Sequence, residues 1–143
     1  MPRSLVVDAS LTVRTLLPGP RRDDFRQQME LWLEEGCMLH APTLWVYETT
    51  TALCKAVFFD LLTVGDAEES LSLLQELAIE LVPPDAEQCR RAFAWTRRLK
   101  RAAAYDSFYL AAAESLGCEL WTADQRLHNA VDLPWVRVVA APA

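Results

Sequence analysis

The 143-residue sequence lacks several features that define large classes of protein. No apolar run reaches the roughly 18 residues that a membrane-spanning helix needs. The N-terminal segment MPRSLVVDAS holds no apolar stretch as long as that of a signal peptide. No internal repeat, low-complexity tract or linker interrupts the chain. We therefore expect a single cytoplasmic domain over residues 1–143, with no membrane partner.

Cysteine and histidine are scarce and scattered. The four cysteines form no C-x-x-C pair, and without an export signal we expect them to be reduced residues of the core. The only histidines are His40 and His128, for which we expect structural roles. A ribonuclease in which the RNA 2′-hydroxyl attacks would need a histidine pair for acid–base catalysis. This sequence does not favour that mechanism.

The net charge of −6 argues at first against a nucleic-acid partner. The charge is unevenly placed, however, because residues 56–89 contain eight acids and no lysine or arginine. A basic run follows directly, formed by Arg90, Arg91, Arg97, Arg98, Lys100 and Arg101. This run either guides an RNA backbone or forms a solvated helix face that pairs with the preceding acidic helix. The sequence leaves both interpretations open.

Short apolar segments alternate with longer amphipathic ones, which predicts an α/β fold with a mainly parallel sheet. The predicted strands are 5–7, 37–41, 80–82, 119–122 and 136–140. The predicted helices run from Asp8 to a break at 18–20 and over 23–35, 43–62, 66–80, 85–100, 105–116 and 124–130. Segment 43–62 is ambiguous, because its β-branched residues favour a strand while its apolar residues recur with helical spacing. We expect a helix there.

Four acidic residues follow predicted strands or lie on apolar helix faces. Asp8 and Asp124 close the first and fourth strands, Glu48 lies on the helix 43–62, and Asp106 opens the helix 105–116. For Asp8 and Asp124 the alternative is a purely structural role as helix caps. Glu48 is harder to explain structurally, because a carboxylate among apolar neighbours costs several kcal/mol unless it is protonated, paired or bound to a cation.

The topology suggests a shared site for these four acids, because functional groups gather at the carboxyl ends of parallel strands. Four neighbouring carboxylates would repel one another, and their pKa values would rise unless a cation bound them. Mg²⁺ or Mn²⁺ prefers such oxygen ligands and can activate a bound water. We expect the hydroxyls of Ser10 and Thr122 to orient a ligand or a water, with turn or cap chemistry as the alternative.

These residues lie in segments that resemble PIN-domain ribonucleases, most closely the VapC-like toxins of toxin–antitoxin pairs. The matching segments are LVVDAS, APTLWVYETTTAL, AAAYDSFYLAAAESLG and LWTADQRL. They occur in family order from Leu5 to near Leu127, so the resemblance covers almost the whole chain. It implies that Asp8, Glu48, Asp106 and Asp124 bind Mg²⁺ or Mn²⁺ and cleave RNA with a metal-activated water.

The resemblance also implies a fold and partners. The expected fold is a three-layer PIN-like sandwich with about five strands in the order 3-2-1-4-5, flanked by helices. The expected partners are an RNA substrate, a second copy of the chain in a homodimer, and a small neutralising antitoxin. The apolar pairs Phe58–Phe59 and Leu61–Leu62 are candidates for contacts with a protein partner, with ordinary core positions as the alternative.

Two non-catalytic alternatives remain open. Asp8, Ser10 and Thr12 also match the D-x-S-x-S/T metal motif of von Willebrand A-type adhesion modules. Those modules are usually longer, and they assign no role to Glu48 or Asp106. An inactive PIN-fold interaction protein is the second alternative, against which the presence of all four acids argues. Metal-dependent cleavage of RNA would distinguish the enzyme from both.

Overall fold

A computed structural model describes residues 2–139. Its sheet has five strands in the order β3-β2-β1-β4-β5, and every pairing is parallel. The strands are β1 (Ser4–Val7), β2 (Met38–Pro42), β3 (Glu80–Val82), β4 (Glu119–Thr122) and β5 (Val136–Val138). The helices are α1 (Ala9–Leu16), α2 (Arg22–Glu34), α3 (Leu44–Phe58), α4 (Val64–Glu76), α5 (Ala86–Arg98), α6 (Tyr105–Leu116) and α7 (Gln125–Val131). The expected fold class and strand order are confirmed.

The central strand β1 shows why helices cover both faces of the sheet. Its side chains alternate in direction, and Leu5, Val6 and Val7 are all fully buried. Leu5 and Val7 pack with residues of α1 and α2 such as Phe25. Val6 packs on the opposite side with residues of α3, α5, α6 and α7, among them Leu110. A parallel sheet requires this burial on both sides, and the result is a three-layer arrangement.

The register of β1 and β4 determines where their carboxyl ends lie. Val7 pairs with Trp121, and the amide of Asp8 donates a hydrogen bond of 3.1 Å to the Trp121 carbonyl. Asp8 and Thr122 therefore leave the sheet side by side at its carboxyl edge. This edge is where ligands bind in open α/β sheets.

The ambiguous segment 43–62 is helical from Leu44 to Phe58. Its β-branched residues are tolerated partly because the Thr49 hydroxyl donates a hydrogen bond of 2.8 Å to the carbonyl of Trp45, one turn earlier. The Trp45 indole in turn donates to the Thr12 hydroxyl of α1 at 3.0 Å. Packing against neighbouring elements therefore decides the local structure against the strand propensity.

Several smaller expectations are corrected. The cysteines are free as expected, but none is fully buried: Cys54 and Cys89 are exposed, whereas Cys37 and Cys118 are half-buried and pack against the core. The apolar residues Phe58, Phe59 and Leu61 are 79%, 66% and 65% exposed, so they are not core positions.

Two helix ends and one strand end also differ from the prediction. Helix α3 ends at Phe58, and α4 ends at Glu76 rather than Glu80. The early end of α4 allows Glu80 to pair with His40 in the sheet. The last predicted strand includes Ala140, which lies outside the described residues; β5 ends at Val138. Among residues 2–139, no helix is long and apolar enough to cross a membrane.

Candidate active site

Asp8 is the most buried of the four acids, with 5% of its surface exposed. It is the N-cap of α1, and its Oδ1 accepts hydrogen bonds from the Leu11 amide at 2.9 Å and the Ser10 hydroxyl at 2.7 Å. Its Oδ2 accepts a short hydrogen bond from the Thr122 hydroxyl. The cap therefore orients this carboxylate at the sheet edge.

The hydroxyls of Ser10 and Thr122 join the ends of β1 and β4 around Asp8. Each hydroxyl donates a hydrogen bond to Asp8. The Ser10 hydroxyl also accepts a hydrogen bond from the Ala123 amide at 3.1 Å, and the Thr122 hydroxyl accepts one from the Asp124 amide at 2.9 Å. The two hydroxyl oxygens lie 3.2 Å apart. Since both protons are already donated to Asp8, this contact adds no further hydrogen bond. The two side chains thus fix the position of Asp8 relative to Asp124.

Asp124 is the N-cap of α7. Its Oδ1 accepts from the amides of Arg126 at 2.9 Å and Leu127 at 3.2 Å. Its Oδ2 has no hydrogen-bond partner among residues 2–139. Capping by Asp8 and by Asp124 is therefore observed, and in Asp124 it leaves one carboxylate oxygen available to a ligand.

Glu48 and Asp106 are held by single side-chain partners. Oε1 of Glu48, on α3, accepts a hydrogen bond of 2.7 Å from the hydroxyl of Tyr109 on α6. Oδ2 of Asp106, in the first turn of α6, accepts from Arg101 at 2.9 Å in an ion pair. In both residues the second carboxylate oxygen has no partner within the described part of the chain. Each is thus oriented while one oxygen stays available.

Electrostatic effects link the other three acids to Asp106. Burial raises the pKa of Asp8 to about 6, against the effect of its hydrogen bonds, and the charge of Asp106 adds to the rise. Burial also raises the pKa of Glu48, and Asp106 again adds to it. The pKa of Asp106 is raised by burial and by Asp124, although Arg101 opposes the shift. Asp106 therefore lies within electrostatic range of the other three carboxylates.

The four candidate ligands have the atom types that a hard divalent cation prefers, but they are not arranged as a preformed binding site. Within residues 2–139, no three side chains of His, Cys, Asp or Glu are arranged as a ready metal site. The four candidate ligands nevertheless offer only oxygen atoms, which Mg²⁺ and Mn²⁺ prefer. Asp8, Glu48 and Asp106 all have raised pKa values, and a cation would stabilise their charged forms.

The structure divides the basic run into two groups. Arg90 and Arg91 form ion pairs with Glu87 of their own helix, and Arg101 forms one with Asp106. Arg97, Arg98 and Lys100 are exposed, and among the described residues none of them forms an ion pair. No base of the run pairs with an acid of α4 in the described chain. The alternative that the run pairs with the preceding acidic helix is therefore wrong.

Two interactions at the site were not anticipated from the sequence. Tyr109 is 2% exposed and bonds to Glu48, and Arg101 pairs with Asp106 rather than lying free. Tyr109 follows Asp106 by three residues, so the two share one face of α6. A buried tyrosine hydroxyl usually has a hydrogen-bond partner. Because Tyr109 lies on the same helix face as Asp106, that partner could have been expected among the acids of the site.

Comparisons with known proteins agree with this architecture. A model of the PIN domain matches residues 5–133. A toxin–antitoxin complex from Klebsiella pneumoniae contains a similar chain at 17% identity and a TM-score of 0.67, over 95% of this chain and 96% of that one. VapC20 of Mycobacterium tuberculosis, a sarcin-ricin loop cleaving toxin, is similar at 15% identity and a TM-score of 0.66, over 93% and 98%.

A third solved structure, VapBC2 from Rickettsia felis bound to a promoter DNA fragment, aligns at 12% identity and a TM-score of 0.68, over 94% of this chain and 96% of that one. A search of curated protein sequences found no match. At these identities the solved structures show a shared fold, whereas the family match covers nearly the whole chain and includes all four acids. The family match favours the PIN interpretation of Asp8-x-Ser10 over the von Willebrand A-type one. The chain belongs to the PIN-domain family.

Proposed function

We propose that this protein is a metal-dependent endoribonuclease and the toxin of a VapBC-type toxin–antitoxin pair. The observation that carries the proposal is the coupling of four carboxylates at the carboxyl edge of a PIN-domain sheet. Asp8 supports it most strongly, because this side chain is buried and has a raised pKa, and it forms no ion pair among residues 2–139. The charged form of such a group is costly to bury, and a bound cation would offset that cost.

In this proposal Asp8, Asp106 and Asp124 hold Mg²⁺ or Mn²⁺, and Glu48 assists them. When bound, the ion supplies a water of lowered pKa and neutralises charge on the phosphate. Ser10 and Thr122 keep Asp8 oriented through their hydrogen bonds. Tyr109 does the same for Glu48. Water attacks phosphorus and the bond to the 3′-oxygen breaks, which leaves a 5′-phosphate and a 3′-hydroxyl.

The proposed substrate is a cytoplasmic tRNA, rRNA or mRNA, and the proposed protein partners are a small antitoxin and a second copy of the chain. Two similar structures are described as toxin–antitoxin assemblies, and VapC20 is described as cleaving the sarcin-ricin loop. The exposed apolar residues Phe58, Phe59 and Leu61 supply a surface that a protein partner would cover.

Cleavage of RNA by purified protein, with and without a chelator, tests the enzyme. Asp8→Asn should lower the cleavage rate at least about a thousandfold, because it removes a charged ligand from the cluster. EDTA should abolish cleavage by the native protein, and excess Mn²⁺ should restore it. Glu68→Gln, which neutralises an exposed acid of α4, is the matched control and should cleave normally. Full activity of Asp8→Asn, or of the native protein in EDTA, would refute the proposed mechanism.

The homodimer and the antitoxin are tested separately. Phe58→Ser/Leu61→Ser should shift the protein from dimer to monomer in light scattering if this surface joins two copies. If the surface binds the antitoxin instead, the double variant should stay dimeric and lose co-purification with a small co-expressed partner. If dimerisation and co-purification both persist in the double variant, this surface binds neither a second copy nor the antitoxin.

A further inference from the structure

A cleft lies beside Glu48, between α3 and α6, and has no role in the proposal above. It measures about 500 Å³ and is lined by Tyr47, Glu48, Thr51, Ala52 and Lys55 of α3 and by Tyr105 of α6. This volume falls in the range of pockets that bind small molecules. Glu48 belongs both to the acid cluster and to this cleft, so a ligand in the cleft would lie next to the candidate catalytic groups.

The two tyrosines that line the cleft are unusually exposed for aromatic residues. Tyr47 is 70% exposed and Tyr105 is 62% exposed. Neither ring stacks on another aromatic side chain in the described part of the chain. Their faces are therefore available to a planar ligand, in contrast to the buried Tyr109 one turn after Tyr105.

Helical spacing explains how these side chains come to line one cleft. Tyr47, Thr51 and Lys55 follow each other at intervals of four residues and so form one stripe along α3. Tyr105 and Tyr109 form a corresponding stripe on α6. The hydrogen bond of 2.7 Å from Tyr109 to Glu48 joins the two helices at a residue of the cleft lining. Tyr105 lines the same cleft as the α3 stripe.

The charge at the site indicates what kind of contact would hold RNA there. The acid cluster repels phosphates, and Arg101, the base closest in sequence to Asp106, is already paired with it. Stacking of a base on an aromatic ring needs no positive charge and contributes to single-strand binding at every base type. Lys55 is the one cationic group in the cleft lining, and it forms no ion pair among the described residues.

We propose that this cleft binds one unpaired base of the RNA next to the cleaved phosphate, stacked between Tyr47 and Tyr105, with Lys55 contacting an adjacent phosphate. The inference rests on the proposed ribonuclease function, because it assigns the cleft to the same substrate. It predicts that the enzyme cleaves single-stranded segments or loops, whose bases can leave the helical stack. A continuous duplex would not supply a base to the cleft.

Steady-state cleavage of a single-stranded RNA tests the stacking role. Tyr47→Ala and Tyr105→Ala should each raise KM about tenfold and change kcat less than twofold, because the ring contributes to binding rather than to bond breaking. Tyr47→Phe and Tyr105→Phe keep the ring and should behave as the native protein. Leu31→Ala, which removes an exposed apolar side chain of α2 outside the cleft, is the control. Unchanged KM in both alanine variants would overturn the proposal.

A second measurement does not depend on cleavage. In metal-free protein with isotope-labelled tyrosine, AMP should shift the ring resonances of Tyr47 and Tyr105, and ribose 5-phosphate should leave them unmoved. Equal shifts with the two probes, or no shift with AMP at millimolar concentration, would overturn the base-binding role. If the native protein cleaves no RNA, the ribonuclease proposal fails, while this titration still decides whether the cleft binds a base.

Discussion

At the scale of single residues, Asp8 combines two roles that oppose one another energetically. As an N-cap it stabilises the start of α1 through its bond from Leu11. As a buried carboxylate it is desolvated, and its pKa rises to about 6. The same position therefore favours the fold through capping and disfavours it through charge burial. This combination is typical of functional sites, where local stability is lower than it need be.

The pH dependence of stability should reveal this cost. Between about pH 4 and pH 6 the folded protein binds more protons at Asp8 than the unfolded chain does, so the free energy of unfolding falls as the pH rises through this interval. In EDTA at pH 7.5, Asp8→Asn should be more stable than the native protein by up to about 3 kcal/mol. The difference should disappear near pH 4. Urea unfolding measures it.

Asp85→Asn makes the same substitution at the exposed N-cap of α5 and serves as the control. Its free energy of unfolding should match that of the native protein at each pH, because asparagine caps a helix about as well as aspartate. A native protein that gains stability relative to Asp8→Asn between pH 4 and pH 6 would contradict the assignment of the burial cost.

Tyr109 positions Glu48, and its hydroxyl can be removed with little change in packing. Tyr109→Phe should lower Mn²⁺ affinity about tenfold, because partners that orient a metal ligand contribute on this scale. The fold should lose only about 1 kcal/mol, the contribution of one hydrogen bond. Calorimetric titration with Mn²⁺ measures the first effect and urea unfolding the second. Tyr105→Phe makes the same change on an exposed ring and should leave both unchanged.

At the scale of elements, local signals predicted most of the chain. Helix α6 and strands β3 and β4 have the predicted bounds, because a glycine in the left-handed region ends α6 and the neighbouring segments are short and apolar. Asp85 caps α5 as expected. Where helix 66–80 was predicted too long, strand pairing explains the difference. Helix α4 ends at Glu76 because β3 must pair with β2, a contact between residues about 40 positions apart in sequence.

The candidate site was also predictable only as far as local sequence patterns determine it. The position of Asp8 and Asp124 at strand ends follows from short sequence patterns, and the structure places both at one sheet edge. The Tyr109–Glu48 bond joins residues 61 positions apart, and only the tertiary fold brings them together. The ion-pair partners of the basic run likewise depend on helix geometry, which composition alone does not contain.

Helix α5 and the turn after it carry two kinds of arginine, and RNA binding should depend on one of them. Arg97→Ala/Arg98→Ala removes exposed bases that have no ion pair among residues 2–139. In EDTA, which prevents cleavage under the proposed mechanism, this change should reduce the slope of log affinity against log salt by about 1.4 for single-stranded RNA. Fluorescence anisotropy at several salt concentrations measures the slope.

Arg90→Ala/Arg91→Ala removes the same charge from the same helix, but these side chains are bound to Glu87. This control should change the slope much less. An equal change in both double variants would mean that the helix acts only through its net charge. An unchanged slope in Arg97→Ala/Arg98→Ala would exclude these two side chains from the RNA path.

At the scale of the whole molecule, the net charge of −6 is a poor guide to the proposed substrate. Eight acids lie in residues 56–89, outside the four segments that carry the candidate site, and four others are the candidate ligands themselves. A bound divalent cation would offset part of the charge of those four. The exposed bases Arg97, Arg98 and Lys100 lie just before the helix that carries Asp106. The net charge of the chain therefore bears on its solubility, whereas the exposed bases before α6 bear on the proposed RNA binding.

A cation that binds the cluster should stabilise the entire fold, because the four candidate ligands come from the ends of β1 and β4 and from α3 and α6. Mn²⁺ at a hundred times its dissociation constant would add about 2.7 kcal/mol and raise the melting temperature by roughly 8 °C for a chain of this size. The effect should be large at pH 7.5 and small at pH 5, since the pKa of Asp8 near 6 means that Mn²⁺ must displace a proton below that pH. Thermal unfolding at the two pH values measures both. Asp8→Asn should show little stabilisation at either pH, and a shift of equal size in that variant would place the cation elsewhere.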